Sequence, residues 1–150
     1  MEIKYSETAR QWVTGILGKT PEEHLKTEGD KLAAFFALKG YSGEEIKTET
    51  TVKLSLNQII DGSERIRVEI TKTVSTPHAS QSERWVSSPE WIMSNQYTAT
   101  QNRIGVAFLA EIKSQEKDAL IDGLKQRIEV LNDEVEQLSL RNKELLNESD

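Results

Sequence analysis

The chain has no cysteine, only three prolines and two histidines, and just 6% aromatic residues. The missing thiols exclude disulfide scaffolds, thiolate metal sites and cysteine nucleophiles together, and they suit a reducing compartment. No apolar run approaches the roughly 20 residues of a membrane span; the best stretch, Ile104 to Ala110, has a glycine inside it. The opening Met1-Glu2-Ile3-Lys4-Tyr5 lacks the apolar core of a secretory signal, so a cytoplasmic protein without membrane contact is expected. The eight glycines are scattered and form neither a phosphate-binding loop nor a dinucleotide fingerprint.

The two histidines lack metal-ligand spacing. His24 is followed by Leu25-Lys26-Thr27-Glu28, whereas a zinc-protease helix needs two histidines one turn apart to grip the ion. His78 stands beside Pro77 in a serine-rich stretch and could sit near a Ser and an Asp in space, a coincidence that a chain rich in serine permits. Glu22-Glu23 and Glu44-Glu45 sit where helices are expected to begin, and there carboxylates complement the helix dipole. These residues give no case for an enzyme, a metal or a cofactor.

What is present divides in two. Residues 1–113 carry 14 Lys and Arg against 15 Asp and Glu, a net of −1. Residues 114–150 carry 5 against 10, a net of −5, and hold no proline, aromatic or histidine. The expected organisation is a head over 1–113 and an acidic helical tail over 114–150.

In the head, Ala9, Trp12, Val13, Ile16 and Leu17 recur at the spacing of one helix face, between a capping Ser6 and Gly18. Thr20-Pro21-Glu22-Glu23 reads as a capping box with proline at the first helical position. The second helix is predicted from Pro21 to Lys39, burying Leu25, Leu32, Phe35, Phe36 and Leu38; Gly29 interrupts it, through a late start or a close contact. The period then changes to two. Val52, Leu54 and Leu56, and Ile66, Val68 and Ile70, alternate with polar residues, and Asn57 to Glu64 with its Asp61-Gly62 reads as the loop of an antiparallel hairpin. Ile104, Val106, Phe108, Ala110 and Ile112 read as a third strand, although Ile104, Phe108 and Ile112 also lie four apart. Ser75 to Gln96, with two prolines, six serines and two tryptophans, reads as a long connection. The fold expected is α+β: two N-terminal helices on one face of a small antiparallel sheet, then a long C-terminal helix.

The tail carries a heptad repeat. Ile121, Ile128, Val135 and Asn142 occupy a positions, and Leu124, Leu131, Leu138 and Leu145 occupy d positions. β-Branched residues at a with leucine at d favour a parallel two-stranded coiled coil, and a lone Asn at a is satisfied by its own copy only when two chains are in register. At 1.5 Å per residue, about 30 residues make a rod of roughly 40–45 Å. The e positions (Lys125, Asn132, Ser139, Leu146) and g positions (Arg127, Glu134, Arg141) form no ladder of opposite charges, so antiparallel or heteromeric pairing stays open. An amphipathic helix packed on its own head is the other reading.

Three partner surfaces follow. The first is the chain itself, as a homodimer. The second is a protein partner, met by Trp85, Trp91 and Tyr97; these residues serve equally well as a lid over the sheet. The third is DNA, through Lys53, Arg65, Arg67 and Lys72 on the outer face of the hairpin, a patch that a dimer would double. The residues before the zipper lack the Lys/Arg-dense region of a bZIP helix. Gly40-Tyr41-Ser42-Gly43-Glu44-Glu45-Ile46-Lys47 resembles the Gly-Phe-Ser-x-Glu-Glu-Ile helix junction of MerR-type regulators, and Ser6-Glu7-Thr8-Ala9-Arg10 is similar to their opening helix. The arginine-rich recognition helix and wing that belong between those fragments are absent, so the family is not assigned. The function expected is a non-enzymatic homodimeric interaction protein; the alternative is a dimeric DNA-binding regulator.

Overall fold

Ser6 stops the chain and turns it into a helix: its hydroxyl accepts from the Ala9 amide at 3.1 Å, satisfying one orphan donor of the first turn. In the computed structural model, which describes residues 1–58 and 64–148, this helix α1 runs Glu7–Leu17. It follows a short strand β1 (Glu2–Ile3) and ends at Gly18 in the left-handed region (φ 73°). Helix α2 (Lys26–Leu38) is followed by β2 (Lys47–Gln58), β3 (Glu64–Ser75), β4 (Ser80–Val86), β5 (Glu90–Trp91) and a 50-residue helix α3 (Ala99–Glu148). Contacts divide the chain into two units, Met1–Ile112 and Lys113–Asp150.

The antiparallel sheet has the order β1-β2-β3-β4, with β5 also pairing β3. The β2–β3 hairpin is in continuous register from Lys47↔Ser75 to Gln58↔Glu64, because alternation on both strands admits only one pairing that keeps every apolar residue on one face. Asn57 and Glu64, expected in its loop, belong to the strands; Asp61-Gly62 lies outside the described residues.

The inner face is covered by helix. Ala9, Trp12 and Val13 of α1 meet Leu54, Ile66, Val68 and Ile70, and Phe108 and Ile112 of α3 complete the cluster. The fold is therefore α+β, with three helices among the described residues.

Four expectations need correction. Ile104–Ile112 is helix, not strand: Gln101, Gly105, Phe108 and Ile112 are buried while Val106 is exposed, a period of 3.6 rather than 2. Its start is set by Thr98, whose hydroxyl accepts from the Gln101 amide at 3.1 Å. The long connection contains β4 and β5, and β4 returns along β3 after a turn in which the Ala79 amide donates to Thr76 Oγ1 at 3.1 Å. Helix α2 starts at Lys26 instead of Pro21, and it buries Phe36 while Phe35 and Leu38 are exposed. Glu44-Glu45 open no helix; Glu45 accepts from the Ser42 amide in a turn that leads straight into β2.

Two glycines of α3 differ in surroundings. A Cβ on Gly105 would stand 2.5 Å from the Ile92 carbonyl oxygen, whereas one on Gly123 would meet nothing within 4 Å. Gly105→Ala is thus expected to destabilise the fold by about 1–3 kcal/mol through forced backbone movement. Gly123→Ala should stabilise the helix by about 1 kcal/mol. Urea denaturation followed by circular dichroism checks both signs.

Candidate functional site

Beyond Lys113, α3 carries a stripe of large exposed apolar side chains. Ile121, Leu124, Ile128, Leu131, Val135, Leu138 and Leu145 are each between 38% and 61% exposed. Leu is among the strongest helix formers and the segment holds no proline, so the helix persists through the whole repeat. At 3.6 residues per turn, positions three and four apart fall on one stripe, which sets the a and d residues in line. Asn142 is exposed within the same stripe.

On Met1–Ile112 the candidate residues separate. Trp85 faces inward, because it pairs with Ile70 on the buried face of the sheet. It packs against the core, with its ring 4.2 Å from the His24 imidazole. Trp91 faces outward: it is 42% exposed, it pairs with Arg65 across β3–β5, and the Arg65 guanidinium sits 4.0 Å from its ring centroid. Such stacking holds a cation over the negative face of the indole. Tyr97 joins them by donating its hydroxyl to the Trp91 carbonyl at 2.9 Å. Burial, reinforced by Glu90, raises the Tyr97 phenol above its ordinary value and keeps it a donor. Trp91, Arg65 and Tyr97 thus form one group; Trp85 is a lid over the core.

The basic set expected on the outer face is divided. Arg67 and Lys53 are exposed there beside the Arg84–Glu69 ion pair, around a shallow depression of 330 Å³. Arg84 donates to the Glu69 carboxylate and holds it below the usual carboxylate range. Arg65 is engaged with Trp91. Lys72 is a correction: it is 5% exposed and shares the inner face with Ile70 and Val74, because strand alternation that turns Ile66, Val68 and Ile70 inward turns Lys72 inward as well. A basic surface of Lys53 and Arg67 is smaller than the sequence alone suggests.

Among the described residues, no group of three or more His, Cys, Asp or Glu is arranged to hold a metal ion, and no helix is long and apolar enough to cross a membrane. His24 has a buried Nδ1 without a hydrogen-bond partner among the described residues. Its pKa lies below the ordinary 6.5, first through burial and then through the nearby positive charge of Lys19 and Lys72, with Glu28 opposing.

Two outcomes follow. Trp85→Ala should lower stability more than Trp91→Ala, since only the first opens a gap against the core; paired urea midpoints check the order. Because the unfolded chain binds a proton at His24 before the folded chain does, stability should decline as pH falls below about 6.5 and be flat above it. Urea midpoints from about pH 8 to about 5.5 should lose that part of the slope in His24→Gln. No protein-family model, no curated protein and no solved structure matches the chain, so its function is read from its own residues.

Proposed function

We propose that the chain is a homodimeric interaction protein, without a catalytic role of its own, that joins two α+β heads through a parallel coiled coil and offers them to a protein partner. The observation that carries this reading is the exposed a/d seam from Ile121 to Leu145. Seven large apolar side chains in a stripe this narrow match the knobs of a two-stranded coil. The stripe is too narrow for the broad face by which a helix packs on a globular core.

Asn142 and the flanking charges favour the parallel, in-register arrangement. In register, Asn142 meets its own copy and each amide satisfies the other. In that arrangement the g-to-e pairs are Arg127 with Asn132, Glu134 with Ser139 and Arg141 with Leu146 of the second copy, none of them repulsive. A fully overlapped antiparallel pair would set Asn142 against Leu124, Arg127 near Arg141, and Glu134 near its own copy. A buried amide without a partner and two sets of like charges disfavour it.

Each head brings Trp91, exposed and stacked under Arg65, as the candidate anchor for the partner; tryptophan and arginine are the side chains most enriched where interfaces hold their energy. Two linked heads raise the effective concentration for the second contact once the first is made.

Light scattering on the full chain over a concentration series tests the assembly. The expected mass is twice the 17.0 kDa of one chain, and Leu131→Glu should return it to one chain without changing the unfolding of the head. A single-chain mass at every concentration, or a dimer that survives Leu131→Glu, overturns the reading. The absence of native cysteine permits an orientation test: Leu145→Cys should oxidise to a covalent dimer if the chains are parallel and in register, and should keep its free thiol if they are not.

A further inference from the structure

Helix packs on the inner face of the sheet, while Lys53, Arg67, Arg84 and Val86 stand exposed on the outer one. Strand parity gives the whole charge of that outer face. Lys47, Glu49 and Lys53 of β2, Arg65, Arg67 and Glu69 of β3, Arg84 of β4 and Glu2 of β1 share it, five cations against three carboxylates and a net of +2. Glu64, Glu83 and Glu90 pair with Gln58, Lys72 and Ile66 and so take the inner parity. On a chain of net charge −6, this face is a local concentration of positive charge.

The excess lies at one end. Arg65, Arg67 and Glu69 are successive outward residues of β3. Arg65 is stacked on the exposed Trp91. Arg67 stands opposite the neutral Ser55, with Glu2 one strand further along the same row. Glu69 is held by Arg84 and also faces Lys53 across β2–β3, so one carboxylate is set against two cations. The shallow depression opens here, and two exposed apolar side chains, Met1 and Val86, line it with Lys53 and Arg67. From the row of Arg65 to that of Glu69 is about 13 Å of strand. Over that length the surface is aromatic at Trp91, cationic at Arg67 and apolar again at Met1 and Val86. Beyond it the face turns to the uncharged hydroxyls of Thr51, Thr71, Thr73 and Ser82, so the cations form a patch rather than a track.

We propose that this patch docks a short, extended, acidic segment of a protein partner. One apolar side chain of the segment rests on Trp91, a carboxylate two residues on meets Arg67, and a second apolar side chain, two residues further, enters the depression between Met1 and Val86. The proposal rests on Trp91 as the anchor for the partner and gives that partner its chemistry. Side chains on one side of an extended segment recur at every second residue, so the pattern apolar-x-acid-x-apolar matches the outward rows of β3. The charges set orientation and speed of encounter, and the aromatic and apolar ends supply most of the affinity. A single-stranded nucleic acid would require a groove of cations that follows its backbone, and the hydroxyl-lined remainder of the face does not continue one.

The test is selection of random displayed heptapeptides on the full-length chain, followed by titration of the enriched sequence, as a synthetic peptide, against the chain in solution. The expected consensus has Asp or Glu with an apolar residue two positions away on either side. Trp91→Ala should weaken the synthetic peptide by about ten-fold or more. Arg67→Gln, at an exposed position, should weaken it by about two- to five-fold, and affinity should fall as salt is raised. The site lies within one head, so Leu131→Glu should bind the peptide as the unaltered chain does, whatever the state of the dimer. Peptides that need Trp91 but are not enriched in acidic residues, or that lose nothing in Arg67→Gln, overturn the acidic segment and leave the anchor standing. Peptides indifferent to Trp91→Ala, or no enrichment at all, overturn both. A single-stranded oligonucleotide that binds more tightly than the selected peptide, and needs both Trp91 and Arg67, overturns the proposal in favour of a phosphate chain.

Discussion

Trp12 is the point on which three distant segments of the chain are hung. Its ring is fully buried and lies 5.1 Å from that of Phe108, its indole N–H donates to the Ile92 carbonyl at 3.0 Å, and its own carbonyl accepts from Gln101 Nε2 at 3.0 Å. One residue of α1 therefore fixes the segment after β5 and the first turns of α3 at the same time. Both hydrogen bonds are buried, so losing either would leave a polar group without a partner at a cost of about 1–3 kcal/mol. The glycines on either side serve this junction. Gly15 leaves room for the Gln101 amide, and Gly105 lets α3 approach the Ile92 carbonyl. The sheet provides the surface, but the Trp12 contacts determine which helices lie on it.

Elements whose apolar period is unambiguous could be read directly from the sequence. Helix α1 has five apolar residues at helical spacing between a serine cap and a left-handed glycine, and β2 and β3 alternate cleanly. The start of α3 is different: Ile104, Phe108 and Ile112 satisfy a period of two and a period of four together. The sign that separates them lies upstream, in Thr98-x-x-Gln101, a helix-starting box with its cap hydroxyl in place. Strand β4 was obscured by chemistry rather than by pattern. Six of its seven residues are exposed, as suits an edge strand that must avoid pairing with other chains; Gln81, Glu83 and Trp85 share the inner-face parity, and only Trp85 is partly buried.

Lys72 shows the opposite failure. Its parity with Ile66, Val68 and Ile70 already assigns it to the inner face, and only the habit of placing lysines in water argued otherwise. The group of Trp91, Arg65 and Tyr97 was partly visible, since all three residues stood out by type. Their meeting depends on β5, a two-residue strand that pairs with the end of β3 and carries almost no signal of its own. The seam in the tail was fully legible, because its information is a repeat and a repeat needs no tertiary context.

The order of these elements along the chain has a consequence for biosynthesis. The last residue of the core cluster is Ile112, and the seam begins only at Ile121 and ends at Leu145. A ribosome adding about 5–20 residues per second takes about 2–7 s to pass from the first point to the last, whereas small domains fold at about 1 per second or faster. Every residue of the core cluster is thus translated before the apolar stripe is complete.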